Sequence, residues 1–249
     1  VLGYEAAGGT DRTAVLRASL AFELMHAFLL AYDDFMDRDE VRRGGKALHV
    51  EAIEVARSLD SADPVQRGVS ANLLLGLLLQ SLSVRCVASA GFDPARLAPS
   101  VTYLNDVLEG VTVGQLLDVA AVDSPSATAA DVSEIHRRKT GLYTTEGPLV
   151  FGALLAGASD PGPTIDALRA WAGPAGEAFQ LVDDVLGVVG APELTGKPAS
   201  GDLREGKRSS VIEAGLLRAT GPEADWLRSV VGRPMSEADA ARARGIIVN

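Results

Sequence analysis

The stretch AYDDFMDRDEVRRGG, residues 31–45, places Asp33, Asp34 and Asp37 close together and follows them with Arg42, Arg43 and a double glycine. On a helix Asp33 and Asp37 lie about 40° apart and Asp34 and Asp37 about 60°, so the carboxylates share one side. Anions at a helix C-terminus oppose the helix dipole and repel one another, and something cationic must offset that cost. Mg²⁺ suits the pattern, because this hard ion binds through one or two carboxylates together with substrate phosphates. Taken alone, the motif also fits a solvated helix end. A second acid pair, Asp183 and Asp184 in EAFQLVDDVLGVVG, closes another apolar segment much later in the chain. Basic residues accompany both pairs: Arg42 and Arg43, then Lys139 in RRKTGLY, then Lys197, Lys207 and Arg208 in TGKPASGDLREGKRS. Carboxylates able to hold metal, beside arginine forks and lysine point charges, suit a diphosphate ligand. For each cation singly, a surface salt bridge is the alternative.

Helices must position these groups. Leu16, Leu20, Leu24, Ala27, Phe28 and Ala31 recur at helical spacing from Thr10–Asp11 to about Arg38. Gly44–Gly45 marks a loop, a short helix spans His49 to Leu59, and a long one from Val65 to Ala90 is apolar nearly all round, hence central. Further helices cover about Ala98 to Val122, and Ala129 onward with a break near Gly147–Pro148. Thr164 caps a helix running to Val189, and shorter ones start near Ser209 and Ser236. Residues 190–206 form a Gly/Pro-rich loop, and period-2 strand patterns are absent. The fold class is all-α, a bundle of long, mostly antiparallel helices, in which antiparallel neighbours bring the two acid pairs face to face across a central cavity. With 249 residues, 47% of them hydrophobic, the chain can bury a sizeable core. Its net charge of −10 disfavours nucleic acid as a partner. Cys86 is the lone cysteine and reads as a core residue, with no disulfide framework or zinc spacing. No uncharged run reaches the ~18 residues of a membrane span, and no signal peptide is evident, so the expected compartment is the cytoplasm.

The motifs DDFMD and RRG, GQLLD at Gly114–Asp118, KTG at Lys139–Gly141, FQLVDD, TGKP and DLREGKR come in the order and spacing of one family. The chain resembles the trans-isoprenyl diphosphate synthases, the polyprenyl synthetase family, over nearly its whole length. The resemblance implies an isoprenoid-synthase-type all-α fold, usually homodimeric, that joins an allylic diphosphate to isopentenyl diphosphate. It implies Mg²⁺ held on the allylic diphosphate by Asp33, Asp34, Asp37, Asp183 and Asp184. Arg42, Lys139 and Lys197 would bind the leaving diphosphate, with Lys207 beside them. Arg43 would help hold isopentenyl diphosphate, and Thr140 and Gln180 would lie beside the reacting carbons. Metals and cations would take up the charge developing on the departing diphosphate. Phe28 and Leu29, five and four positions before Asp33, would limit product length, in the manner of short-chain members; the twenty-carbon geranylgeranyl product is favoured over farnesyl.

Some positions depart from the family pattern. Gly187 stands where the second motif usually ends in a third aspartate, Leu77 where aspartate often follows glycine, and Lys46–Ala47 where Pro-Thr is usual. The resemblance further implies one domain over residues 1–249 that lacks the family's N-terminal isopentenyl-diphosphate-binding segment and its last helices. Glu23 and His26 form one Glu-x-x-His unit, but a di-iron bundle needs a second, and His26 reads as a core histidine. A terpene cyclase fits less well, because NDVLEGVTV fails the cyclase's second metal pattern at Glu109. The departures at Leu77, Gly187 and Lys46 motivate one alternative, a catalytically weak or regulatory subunit of a heteromeric synthase.

Overall fold

The computed structural model describes residues 1–122, 129–190, 201–206 and 209–248. In chain order these form α1 (Leu2–Ala6), α2 (Arg12–Met36), β1 (Val41–Arg42), β2 (Gly45–Lys46), α3 (Leu48–Ser58), α4 (Pro64–Ala88), α5 (Pro94–Val122) and α6 (Ala129–His136). A π-helix (Arg137–Glu146) follows, then α7 (Gly147–Ala156), α8 (Pro163–Val189), α9 (Gly201–Glu205), α10 (Ser210–Arg218), α11 (Gly221–Val230) and α12 (Glu237–Val248). The all-α class holds. Several local features differ from the sequence reading, among them the start of α8 at Pro163, which puts Thr164 inside the first turn and not at the N-cap. The two-residue strands are too short to carry an alternating pattern, α5 starts at Pro94 rather than Ala98, and α9 lies within the stretch read as loop.

The chain divides into two compact units, one of residues 1–107 and 146–171, the other of 108–145 and 172–249. In the first, α2 and α4 run antiparallel. Asn72 Nδ2 donates to the Ala31 carbonyl at 3.0 Å and Ser83 Oγ to the Ala21 carbonyl at 2.8 Å, so sequence rises along one helix as it falls along the other. Asp11 caps α2 by accepting from the Ala14 amide at 2.9 Å, and Asp63 caps α4 by accepting from Gln66 at 3.0 Å, with Pro64 in the first turn. Met25, Val15, Val87, Leu104, Val150 and Leu155 are buried in this unit. The helix read as central, α4, is exposed along one side within the unit, at Leu74, Leu77 and Leu78, and Cys86, read as a core residue, is half-buried. By length and composition alone, α2 and α4 are each apolar enough to cross a membrane. In the second unit Val188 of α8, Leu203 of α9, Ile212 of α10, Leu227 of α11 and Ile247 of α12 form one core.

Candidate active site

The first acid cluster ends α2. Asp34 is buried, and Arg42 Nε donates to its Oδ1 at 2.8 Å while Arg42 Nη2 bonds the same oxygen. Arg42 Nη2 also lies 3.9 Å from Asp33 and 3.6 Å from Asp39. Burial works against the Arg42 charge, but the hydrogen bond to Asp34 and the fields of Asp33 and Asp39 outweigh it, so its pKa is raised. The β1–β2 hairpin makes this reach-back possible. Its two loop residues, Arg43 and Gly44, both have positive φ, 54° and 77°, as a type I′ turn demands. A non-glycine residue in that region is strained, and such strain gathers at functional sites. The turn sends Arg43 away from Asp34: its Nη2 meets His26 Nε2 at 3.3 Å.

His26 is half-buried and pairs with Arg43, which corrects its reading as a core histidine. The missed signal was position, since seven residues before Asp33 is two turns back on the same side. Burial first, then the charge of Arg43, lowers its pKa; the neutral ring accepts the arginine's N–H. Phe28 and Leu29 are half-buried on α2, and the Phe28 ring packs edge to face on Tyr32 at 4.8 Å.

In the second unit, α8 carries Asp183 exposed and Asp184 buried. Asp184 Oδ1 accepts from Gln180 Nε2 at 2.8 Å and Oδ2 from the Ser210 amide at 2.8 Å, with His136 Nε2 at 3.8 Å. Ser210 opens α10, so a carboxylate sits on an orphan amide at the positive end of a helix. The Gln180 amide is directed at Asp184. At Gly187 an added Cβ would lie 2.1 Å from Asp202 Oδ2, so the Asp202 carboxylate fills the room a third acid of the motif would need.

Lys139 and Thr140 lie on the π-helix, a wide and uncommon turn that recurs at functional sites. Lys139 Nζ donates to Asp118 Oδ2 at 2.6 Å, joining the KTG motif to GQLLD. Gly114, one turn earlier on α5, gives the room: a Cβ there would lie 2.6 Å from the Lys139 amide nitrogen. Thr140 is half-buried. Lys197, Lys207 and Arg208 lie outside the described residues.

The donors available to a metal are carboxylate oxygens, hard ligands of the kind Mg²⁺ takes. Among the described residues no three acids, cysteines or histidines converge as a metal cage. Each cluster therefore fits an ion held by one or two carboxylates and completed by phosphate, which is how Mg²⁺ is used with phosphorylated substrates. A cavity of about 420 Å³ lined by Val55, Ala56, Leu59, Arg67 and Ala71 of α3 and α4 contains none of these residues.

A model of the polyprenyl synthetase family matches residues 1–247. The chain is 32% identical over 213 residues to a geranylgeranyl diphosphate synthase of Methanosarcina mazei, covering 85% of this chain and 60% of that enzyme. It is 31% identical to a geranylfarnesyl diphosphate synthase of Aeropyrum pernix, covering 97% of this chain and 71% of that one. Among solved structures, geranylgeranyl pyrophosphate synthase of Corynebacterium glutamicum, complexed with isoprenyl diphosphate and magnesium, superposes with a TM-score of 0.92 at 33% identity. That superposition covers 99% of this chain and 71% of the other. The chain thus spans roughly six- to seven-tenths of the length of these relatives.

Proposed function

The chain belongs to the polyprenyl synthetase family, and from that premise we propose that it joins an allylic diphosphate to isopentenyl diphosphate with release of diphosphate. The product is geranylgeranyl diphosphate. One observation carries the reading furthest: in each aspartate pair the second acid is buried and bonded to protein, while the first keeps access to solvent. Asp33 and Asp183, with Asp37 of the same motif, would then be the residues that hold Mg²⁺ directly. Asp34 and Asp184 belong to the same metal sites through the groups they fix. When bound, Mg²⁺ offsets the charge that collects on the departing diphosphate.

The protein's own residues supply the rest. Arg42, oriented by Asp34, and Lys139, oriented by Asp118, donate to the diphosphate as its bond to the allylic carbon breaks and it takes the electron pair. Lys197 and Lys207 are assigned to the same diphosphate on the strength of their motifs. Arg43, with His26 beside it, receives isopentenyl diphosphate. Thr140 and Gln180 flank the carbons between which the new bond forms, and a proton then leaves the isopentenyl unit. Phe28 and Leu29 stop the growing tail. We read α2 and α4 as paired core helices of a cytoplasmic protein, and the exposed Leu74, Leu77 and Leu78 as part of a homodimer interface.

The test is turnover of the purified full-length protein with Mg²⁺, dimethylallyl diphosphate and labelled isopentenyl diphosphate. Longer prenyl diphosphates are expected. Activity appearing only with a partner protein would make this chain a subunit of a heteromer, and a cyclic hydrocarbon would make it a cyclase. Loss of condensation on chelating Mg²⁺, and in Asp33→Ala and Asp183→Ala separately, is the expected signature.

A further inference from the structure

Phe28 is braced by a neighbour. Its ring stands 4.8 Å from that of Tyr32 at an interplanar angle of 77°, one helical turn away on α2. Tyr32 is in turn held by α4 at two points. Its hydroxyl donates to the Leu73 carbonyl at 2.6 Å. Its ring occupies the space beside Gly76, where an added Cβ would lie 2.2 Å from Cε1 and 2.8 Å from Cζ. The buried bond from Asn72 to the Ala31 carbonyl latches the same two helices next door. The LLLGLLLQ motif thus gains a role at its glycine, while the neighbouring Leu77 is 60% exposed in the single chain.

An end-stop for an apolar tail works only if it resists displacement. A half-buried phenylalanine on a helix has other staggered rotamers open to it unless a neighbour blocks them. Tyr32 can act as that block because its own ring is wedged in the Gly76 notch and tethered at the hydroxyl. We infer that Tyr32 is a positioning residue for product length: seated in the notch at Gly76, it fixes the Phe28 ring in the path of the growing prenyl chain. This rests on the reading of Phe28 as the end-stop in the proposed synthase.

The experiment sizes the products of purified variants, incubated with Mg²⁺, dimethylallyl diphosphate and isopentenyl diphosphate, by mass spectrometry after dephosphorylation. Phe28→Ala, which tests the end-stop itself, is expected to lengthen the main product by at least one isoprene unit. Tyr32→Leu is expected to shift products in the same direction, whereas Tyr32→Phe, which keeps a ring in the notch, retains the parent distribution. Because Tyr32 acts through Phe28, the double variant Phe28→Ala with Tyr32→Leu should give the distribution of Phe28→Ala alone. Should Tyr32→Leu not fold, Tyr32→Met reads the same effect with a side chain of comparable reach. A folded Tyr32 variant without the ring that keeps the parent products, while Phe28→Ala lengthens them, overturns the inference and leaves the end-stop intact. A double variant that lengthens beyond Phe28→Ala also overturns it, because Tyr32 would then be a stop in its own right. Unchanged products from Phe28→Ala remove the end-stop and the inference together.

Discussion

Asp34 and Asp33 are adjacent, yet replacing them by alanine should have opposite consequences. Asp34→Ala leaves Arg42 partly buried, its side chain 24% exposed, without the carboxylate that holds both Nε and Nη2. Removing one partner of a buried ion pair costs about 3–5 kcal/mol. The residual exposure of Arg42 argues for the low end, about 3 kcal/mol, since solvent and Asp39 take over part of the stabilisation. For a chain of this size that is a drop in melting temperature of roughly 6–12 °C. Asp33, by contrast, is 3.9 Å from Arg42 and sits among like charges, so Asp33→Ala should change stability by no more than about 0.5 kcal/mol. Its effect should fall on turnover, a loss of about 10²–10³ in kcat, the range for removing one preorganised group that stabilises transition-state charge. Denaturant unfolding and steady-state condensation on the same preparations separate the two. Parent stability in Asp34→Ala, or near-normal turnover in Asp33→Ala, would refute the division between a structural and a metal-holding acid.

His26 should make stability pH-dependent. Its pKa is lowered in the fold from 6.5, so below that pH the unfolded chain takes up a proton the folded one resists. Urea midpoints should therefore fall from pH 7 to pH 5, and fall less steeply in His26→Gln. Restoring the family's third acid with Gly187→Asp should not raise turnover; the new side chain must push the Asp202 carboxylate aside and then stands beside a like charge, an effect read as a slightly lower melting temperature. Asp118→Asn should lower kcat with a small change in KM for isopentenyl diphosphate, because the site loses the carboxylate that orients Lys139; an equal change in both constants would argue against that role.

The periodicity of α2, α4 and α8 was legible because an apolar stripe at helical spacing is a long-range signal repeated many times. The paired acids and the arginine pair were legible for a different reason, since like charges at helix ends call for a counter-charge. What each acid does was not legible. The sequence makes Asp34 and Asp184 look like metal ligands equal to their neighbours, and only the positions of Arg42 and Ser210 reveal their second role. His26 escaped because nothing local ties it to Arg43; a two-residue I′ turn joins them, and its positive φ at an arginine has no strong sequence signature. Asp118 stayed without a role for the same reason, as its partner lies on a different helix.

The division within each pair follows from helix geometry. Consecutive residues are rotated by about 100°, so two adjacent aspartates on a helix diverge, and here the second of each pair is the one turned into the protein. Turning the second inward leaves the first at the edge of the buried stripe, where it can reach a ligand and still meet water. The inward acid then needs neutralisation, and the two sites achieve it with different chemistry. Asp34 has a guanidinium, delivered by a hairpin whose strained turn is fixed by the same contact. Asp184 has the Gln180 side-chain amide and the first backbone amide of α10, at the partial positive charge of a helix N-terminus. A full charge at Arg42 can also be shared with a diphosphate, whereas the Ser210 amide committed to Asp184 is fixed in the helix backbone. In the proposed reaction the first cluster therefore contributes both a metal-holding acid and a cation that Asp34 orients, and the second contributes an acid on a fixed base, with Lys139 supplying the cation from the π-helix instead.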